Sequence, residues 1–475
     1  MGDPLIQTPH LDGLAHEGVV FDSAYTASPV CGPARAALKS GMYPPGCGVV
    51  NNWVGFRENT ELLTHRLQAA GYQTALCGKL HFCPAEASHG FEWRQLHDAP
   101  YSVYANDDCH SEYIRWLRDN AYRDSAVDPV TLFDEDENAF KTNDWFRFIM
   151  GSSFRREQDH DTVWTMAQAM RFLDERDVGR PFFLFLSYFG PHQPFAAPSP
   201  WGEMYDPDNI ALPPQFAAAM DDNPVFAVTC DPQAKQFRQL FDVAAYRRIL
   251  AAYYGQVSMI DHYLGQFITR LKADGLWDDS LVIFCSDHGD HNGAYGLFFK
   301  GQMYDSCCRI PLLVKPPCCA CPGERRQQIV NLLDLYGTIL DAAGDESWQQ
   351  PEIEARSLSP LLWGKRAEWA NETWAIIGER PETNLTMLRR DHMKLIRLAR
   401  GAENALYELY DLRDAIPEVR DVYRDPAYAA ERAVMKSDLD AWQRAQADKY
   451  PRRIVSYRIG TDSLGGASAA ADKRR

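Results

Sequence analysis

The chain has 475 residues, 45% of them hydrophobic and 24% charged, and a formal net charge of −16. That length can bury a large core, the composition is that of an ordinary globular protein, and two or three structural units are expected. The negative charge argues against nucleic acid or an anionic membrane as the main partner, so an anion-binding pocket has to be a local basic cluster in an acidic body.

The most apolar run, 182–189, is too short to cross a bilayer. No signal peptide opens the chain, so a cytoplasmic location is expected. Of the twelve cysteines, Cys318, Cys319 and Cys321 lie between Pro316-Pro317 and Pro322-Gly323. With no second Cys-x-x-Cys pair or nearby His to complete a tetrahedral set, this stretch reads as a loop.

In chain order, Thr8 and Pro9 read as the cap and first position of a short helix. From Val19 the chain is extended. Ser28-Pro29-Val30-Cys31-Gly32-Pro33-Ala34-Arg35 then turns into a second helix, which Gly41 stops. Cys31 is placed just before that helix, where the dipole and Arg35 acidify a thiol. A small buried Cys at a helix start is the bland alternative, and the residues alone leave both open.

Glu61–Ala70 is expected to be helical and Gln73–Cys77 a strand. Lys79 and His81 follow this strand at i and i+2 and project to one side. Residues 83–158 lack a clear period and are assigned as an insertion shaping substrate access. Asp161–Arg176 reads as a helix and Pro181–Phe189 as a doubly buried strand, which ends in Pro191-His192-Gln193-Pro194. The stretch from Ala244 to Asp274 is a long helix. Strand Leu281–Cys285 emerges into Ser286-Asp287-His288-Gly289, putting a carboxylate and an imidazole at a sheet's carboxyl edge. After Leu362 short strands at close spacing (373–378, 385–389, 394–398 and 406–409) have the habit of an antiparallel sheet, closed by helix Ala427–Asp448.

Cys31-x-Pro33-x-Arg35 followed by Ser40-Gly41, then Gly78-Lys79-x-His81, Pro191-His192-x-Pro194, Asp287-His288-Gly289 and Lys300, resembles the type I sulfatases of the alkaline-phosphatase-like superfamily. Ala34 stands where that family more often has Ser. The resemblance covers roughly residues 8–450, extending to a strand at Arg309–Val314, a Leu-Asp-Leu-Tyr helix over Val330–Ala343 and a closing Tyr410-Asp411-Leu412. It implies an α/β sandwich with a central, mostly parallel sheet and a smaller C-terminal antiparallel sheet. The corresponding division is a catalytic unit at 1–365, an α+β unit at 366–457 and a disordered tail at 458–475. The family's first strand, which carries two adjacent acidic metal ligands, has no counterpart before Thr8, so the chain is expected to begin late.

The resemblance also implies the chemistry. A maturation enzyme oxidises Cys31 to formylglycine, and its hydrate attacks the sulfur of a small sulfated substrate. Asp287, His288 and the oxygen derived from Cys31 hold a divalent metal, calcium first and manganese second. Lys79, His192 and Lys300 bind the sulfate, His192 or Lys300 assists the leaving oxygen, and His81 takes the proton whose loss expels sulfate. Arg35 completes the cationic set that such an ester needs. A phosphonate monoester or phosphodiester hydrolase on the same scaffold, or an inactive truncated relic, are the competing readings.

Overall fold

The computed structural model describes residues 2–98, 111–121, 149–150, 156–220, 222–363, 368–378, 384–401 and 404–450. Twelve strands are described: β1 Val19–Tyr25, β2 Gln73–Gly78, β3 Trp93–Leu96, β4 Phe182–Ser187, β5 Val282–Cys285, β6 Arg309–Ile310, β7 Leu312–Lys315, β8 Glu324–Asn331, β9 Glu372–Ile377, β10 Leu385–Arg390, β11 Met393–Ala399 and β12 Ala405–Asp411.

The strands form three sheets. The first is five-stranded and centred on β1, which pairs antiparallel with β6 and β7 and parallel with β8, while β5 joins through β7. Pro311 divides β6 from β7, because a residue without an N–H cannot donate to the ladder. The second sheet, β3-β2-β4, is parallel throughout, with Gly78 opposite both Leu96 and Ser187. Among the described residues β4 pairs only with β2 and β5 only with β7. Both strands nonetheless pack into the same apolar layers. Phe185 and Ile283 lie against the cluster of Val19, Phe21 and Ala34, whereas Leu184, Leu186, Val282 and Phe284 lie against Val20, Met166 and Leu313.

Helices cover these sheets: α1 Pro9–Glu17, α2 Cys31–Ser40, α3 Asp161–Glu175, α4 Val243–Ala273 and α5 Asp334–Ala342. Thr8 makes no capping hydrogen bond at the start of α1. The carboxylate of Asp261 on α4 does that work instead, accepting the N–H groups of His10 (3.1 Å) and Leu11 (2.7 Å). Helix α2 starts one step earlier than the sequence suggests, with Cys31 as its first residue and Val30 as its cap. Gly41 ends it in the left-handed conformation (φ 68°), against the Tyr336 ring, where a β-carbon would stand 2.7 Å from a ring atom.

The C-terminal sheet is antiparallel in the order β12-β11-β10-β9, as expected from its short, closely spaced strands. Helix α6, Ala429–Lys449, packs Met435 and Leu439 against Leu388, Leu395 and Leu409 on one face. The other face meets Tyr304, Tyr295 and Phe226 of the large unit. Buried Lys394 crosses that boundary: its ammonium donates to Glu418 Oε1 at 2.6 Å and also to Asp305. The loop that follows Lys300 is thereby tied to the C-terminal sheet.

Two expectations need correction. The supposed insertion at 83–158 contains β3, a strand of the parallel sheet, and a short helix, Glu112–Trp116. Residues 330 and 331, expected to open a helix, instead close strand β8, and α5 begins at Asp334. The tail at 458–475 and the division at 365/366 fall outside the described residues. Among those described, no helix is long and apolar enough to cross a membrane.

Candidate active site

Three strands deliver the site from their carboxyl ends. β2 leads into Lys79 and His81, β4 into His192, and β5 into Asp287 and His288, while α2 brings Cys31 and Arg35. Arg35 ties them together. Its Nε donates to Asp287 Oδ2 at 2.7 Å, and its Nη1 donates to Lys79 O at 2.9 Å and Ser187 Oγ at 2.8 Å. A planar guanidinium with a fixed fork of donors can hold three strand ends in register, which an ammonium cannot.

Cys31 is buried at the first position of α2, with its Sγ 3.1 Å from His288 Nε2. Burial raises a thiol's pKa, but the charges of Lys79, Lys300 and His288 pull this one well below its ordinary value. The neighbouring His288 moves the other way. Burial disfavours its charge, yet Asp287 and Cys31 raise its pKa. Its Nδ1 donates to Gly289 O at 2.7 Å, which turns Nε2 toward the sulfur. Burial raises the Asp287 carboxyl, but His288 and Arg35 hold it far below the usual carboxylate range.

On the opposite side Lys300 Nζ lies 2.6 Å from His192 Nε2, and His192 Nδ1 donates to Gln193 O at 2.7 Å. Burial, and then the Lys300 charge, lowers His192 to about 3. His192 is therefore a neutral acceptor for the Lys300 ammonium. Lys79 is buried, with Nζ 4.8 Å from the centre of the Phe189 ring. Burial lowers its pKa and the facing Cys31 partly restores it.

The structure thus joins Cys31, Arg35, Lys79, His192, Asp287, His288 and Lys300 in one network of contacts and charges. No side-chain hydrogen bond joins His81 to this network among the described residues. Both of its ring nitrogens are buried without a partner among the described residues, and its ring packs 5.2 Å from that of Trp53. Several residues here escaped the sequence reading. Asn52 Oδ1 accepts the Gly32 N–H at 2.9 Å. Asp290, raised by burial to about 6, accepts the N–H groups of Asn292 and Phe299 and so shapes the loop that delivers Lys300. No spacing in the sequence marks either one.

Cys31, Asp287 and His288 present one ligand atom each within 4.8 Å of one another. A sulfur or oxygen, a carboxylate oxygen and an imidazole fit a divalent ion as an open three-donor face.

The family model described as Sulfatase matches residues 1–345, and that described as N-sulphoglucosamine sulphohydrolase, C-terminal, matches residues 293–445. An arylsulfatase of Clostridium perfringens is 29% identical over 383 residues, covering 78% of this chain and 76% of that protein. A choline-sulfatase of Rhizobium meliloti is 28% identical, covering 95% of this chain and 86% of that protein. The solved structure of a phosphonate monoester hydrolase from Silicibacter pomeroyi superposes with a TM-score of 0.76 over 94% of this chain and 92% of the other, at 23% identity, and shows the shared fold.

Proposed function

We propose that this chain, which belongs to the sulfatase family, hydrolyses sulfate esters through a formylglycine made from Cys31 by a maturation enzyme. The observation that carries the reading is the Cys31 thiol at the start of α2. It faces His288 at 3.1 Å, with the charges of Lys79 and Lys300 acting on it.

Formylglycine supplies, as its hydrate, one hydroxyl to attack sulfur and a second whose deprotonation lets sulfate leave. A plain Ser or Cys could not take that second step. A divalent ion, calcium first and manganese second, would be held by Asp287, His288 and the oxygen derived from Cys31, and would place positive charge on the nucleophilic oxygen. The chain's own residues do the rest. Lys79 and Lys300 bind the sulfate oxygens in a buried setting, where their charge acts strongly on the transition state, and His192 orients Lys300. Lys300, hydrogen-bonded to neutral His192, donates the proton to the leaving oxygen, with His192 holding its ammonium in place. Arg35 keeps Asp287 ionised and Lys79 in place. His81 takes the proton from the second hydroxyl.

The test is turnover of matched aryl sulfate and aryl phosphonate esters by protein co-produced with a maturation enzyme, with Cys31→Ala as control. Preferred sulfate turnover that Cys31→Ala abolishes is expected. Preferred phosphonate turnover would move the chain to the competing reading, and no turnover of either ester would remove the assignment.

A further inference from the structure

We infer that Asp98 is a positioning residue that fixes His81 for its proton transfer, an inference that rests on the role given to His81 above. His81 occupies the left-handed backbone region (φ 63°), a conformation that costs a residue with a β-carbon about 1–2 kcal/mol. Its two ring nitrogens have no partner among the described residues, so no hydrogen bond there orients the ring. The imidazole takes its direction from the backbone and from the Trp53 ring beside it.

One carboxylate oxygen sets that backbone. Asp98 Oδ1 accepts the N–H groups of both Leu80 and His81, each at 2.8 Å. Two consecutive N–H groups converging on one anionic oxygen define the turn and offset its strain, because hydrogen bonds to a charged acceptor are stronger than neutral ones. Asp98 is itself held firmly, being 7% exposed and two residues beyond the end of β3. There the ladder runs Gly78 opposite Leu96, and His97 N–H donates to Gly78 O at 3.0 Å. The sheet register is thus carried through Asp98 to His81. Lys79 does not depend on this grip, since its own N–H donates to Ser187 O at 2.8 Å. Loss of Asp98 should therefore act on His81 and spare the sulfate-binding lysine.

If His81 removes the proton that releases sulfate, weakening it slows the second half of turnover and leaves the first intact. The alcohol then appears in a burst about equal to the enzyme concentration before a slow steady state. A merely structural lesion lowers the active fraction and produces no burst.

The experiment compares wild type, His81→Ala, Asp98→Ala, Asp98→Asn and the double variant His81→Ala/Asp98→Ala, all matured, on a chromogenic aryl sulfate. For Asp98→Ala the expected result is a kcat about 10- to 100-fold lower, with a burst and little change in KM. Asp98→Asn, whose amide oxygen accepts the same two N–H groups, should stay within about threefold of wild type. The double variant should match His81→Ala alone. An unchanged kcat in Asp98→Ala, or losses that multiply in the double variant, overturns the inference while the role of His81 stands. A normal kcat in His81→Ala removes the role of His81 and the inference with it. Should Asp98→Ala fail to fold, Asp98→Glu keeps the charge but shifts the acceptor by one methylene. It should show the same burst, and a normal kcat there overturns the inference equally.

Discussion

Arg35 Nε donates to Asp287 Oδ2 at 2.7 Å, joining the helix that begins at Cys31 to the segment that follows β5. Both side chains are largely buried, so neither charge can fall back on water. Removing one partner of such a pair typically costs about 3–5 kcal/mol, because the other is left charged and unpaired. Arg35→Ala should lose that much in urea unfolding as well as its turnover. Arg35→Lys should recover part of the stability and little of the turnover, since an ammonium cannot serve Asp287, Lys79 O and Ser187 Oγ together. A loss below about 1 kcal/mol for Arg35→Ala would show that the pair does not bind the two elements.

The His192–Lys300 contact gives a prediction in pH. With its pKa pushed down to about 3, His192 should stay neutral through the range in which an ordinary His titrates. Imidazole resonances followed by NMR from about pH 8 to pH 5 should show His192 unmoved. The sign for stability follows. The unfolded chain binds this proton near pH 6.5 and the folded chain near 3, so the contribution is full above about 6.5 and is lost as pH falls toward 3. Midpoint titration of His192 near 6.5 would contradict the buried, Lys300-facing geometry.

Lys300→Ala separates binding chemistry from folding. Its ammonium reaches His192 across the pocket, and the loop around it is held by Asp290 and by the Lys394–Asp305 contact. Turnover should fall by about 100-fold or more, with thermal stability nearly unchanged. An equal loss of both would mark Lys300 as a structural residue.

Lys39, one turn beyond Arg35 on α2, offers a stability test on a residue with no proposed part in the chemistry. It is 1% exposed, its Nζ has no hydrogen-bond partner among the described residues, and it lies 3.5 Å from the centre of the Phe185 ring. Burial, and then the Arg35 charge, holds its amine well below the ordinary lysine value. Lys39→Met should stabilise the fold by about 1–3 kcal/mol. The unfolded chain binds this proton more readily, so the native protein gains stability as pH rises toward about 10.4. The advantage of Lys39→Met should therefore be largest at low pH and shrink on going alkaline. A destabilised Lys39→Met would mean that the ammonium is satisfied where it lies.

Much of this architecture was legible because its key residues sit at strand ends, where a polar side chain after an apolar run is conspicuous. Lys79, His192 and Asp287 were found in this way, Cys31 from the helix start that Pro33 marks and Lys300 from the family resemblance, which also supplied roles that spacing alone left open. Strand β8 was not legible. Its first half, Glu324-Arg325-Arg326-Gln327, is polar because it is exposed, with Arg325 pairing with Asp22 across the parallel ladder, and only Ile329–Asn331 are buried. Asp98 escaped for another reason. It acts through backbone N–H groups 17 and 18 positions earlier in the chain, a relation that only the parallel register of β2 and β3 creates. The buried Lys39 likewise looks, in sequence, like one more good helix former.

The central claim is that Cys31 is made into the nucleophile, and the mass of one peptide tests it most directly. The tryptic peptide ending at Arg35, from protein produced in its native host, should be about 18 Da lighter than its sequence mass, the change from thiol to aldehyde. A peptide carrying only the unmodified thiol would contradict the account.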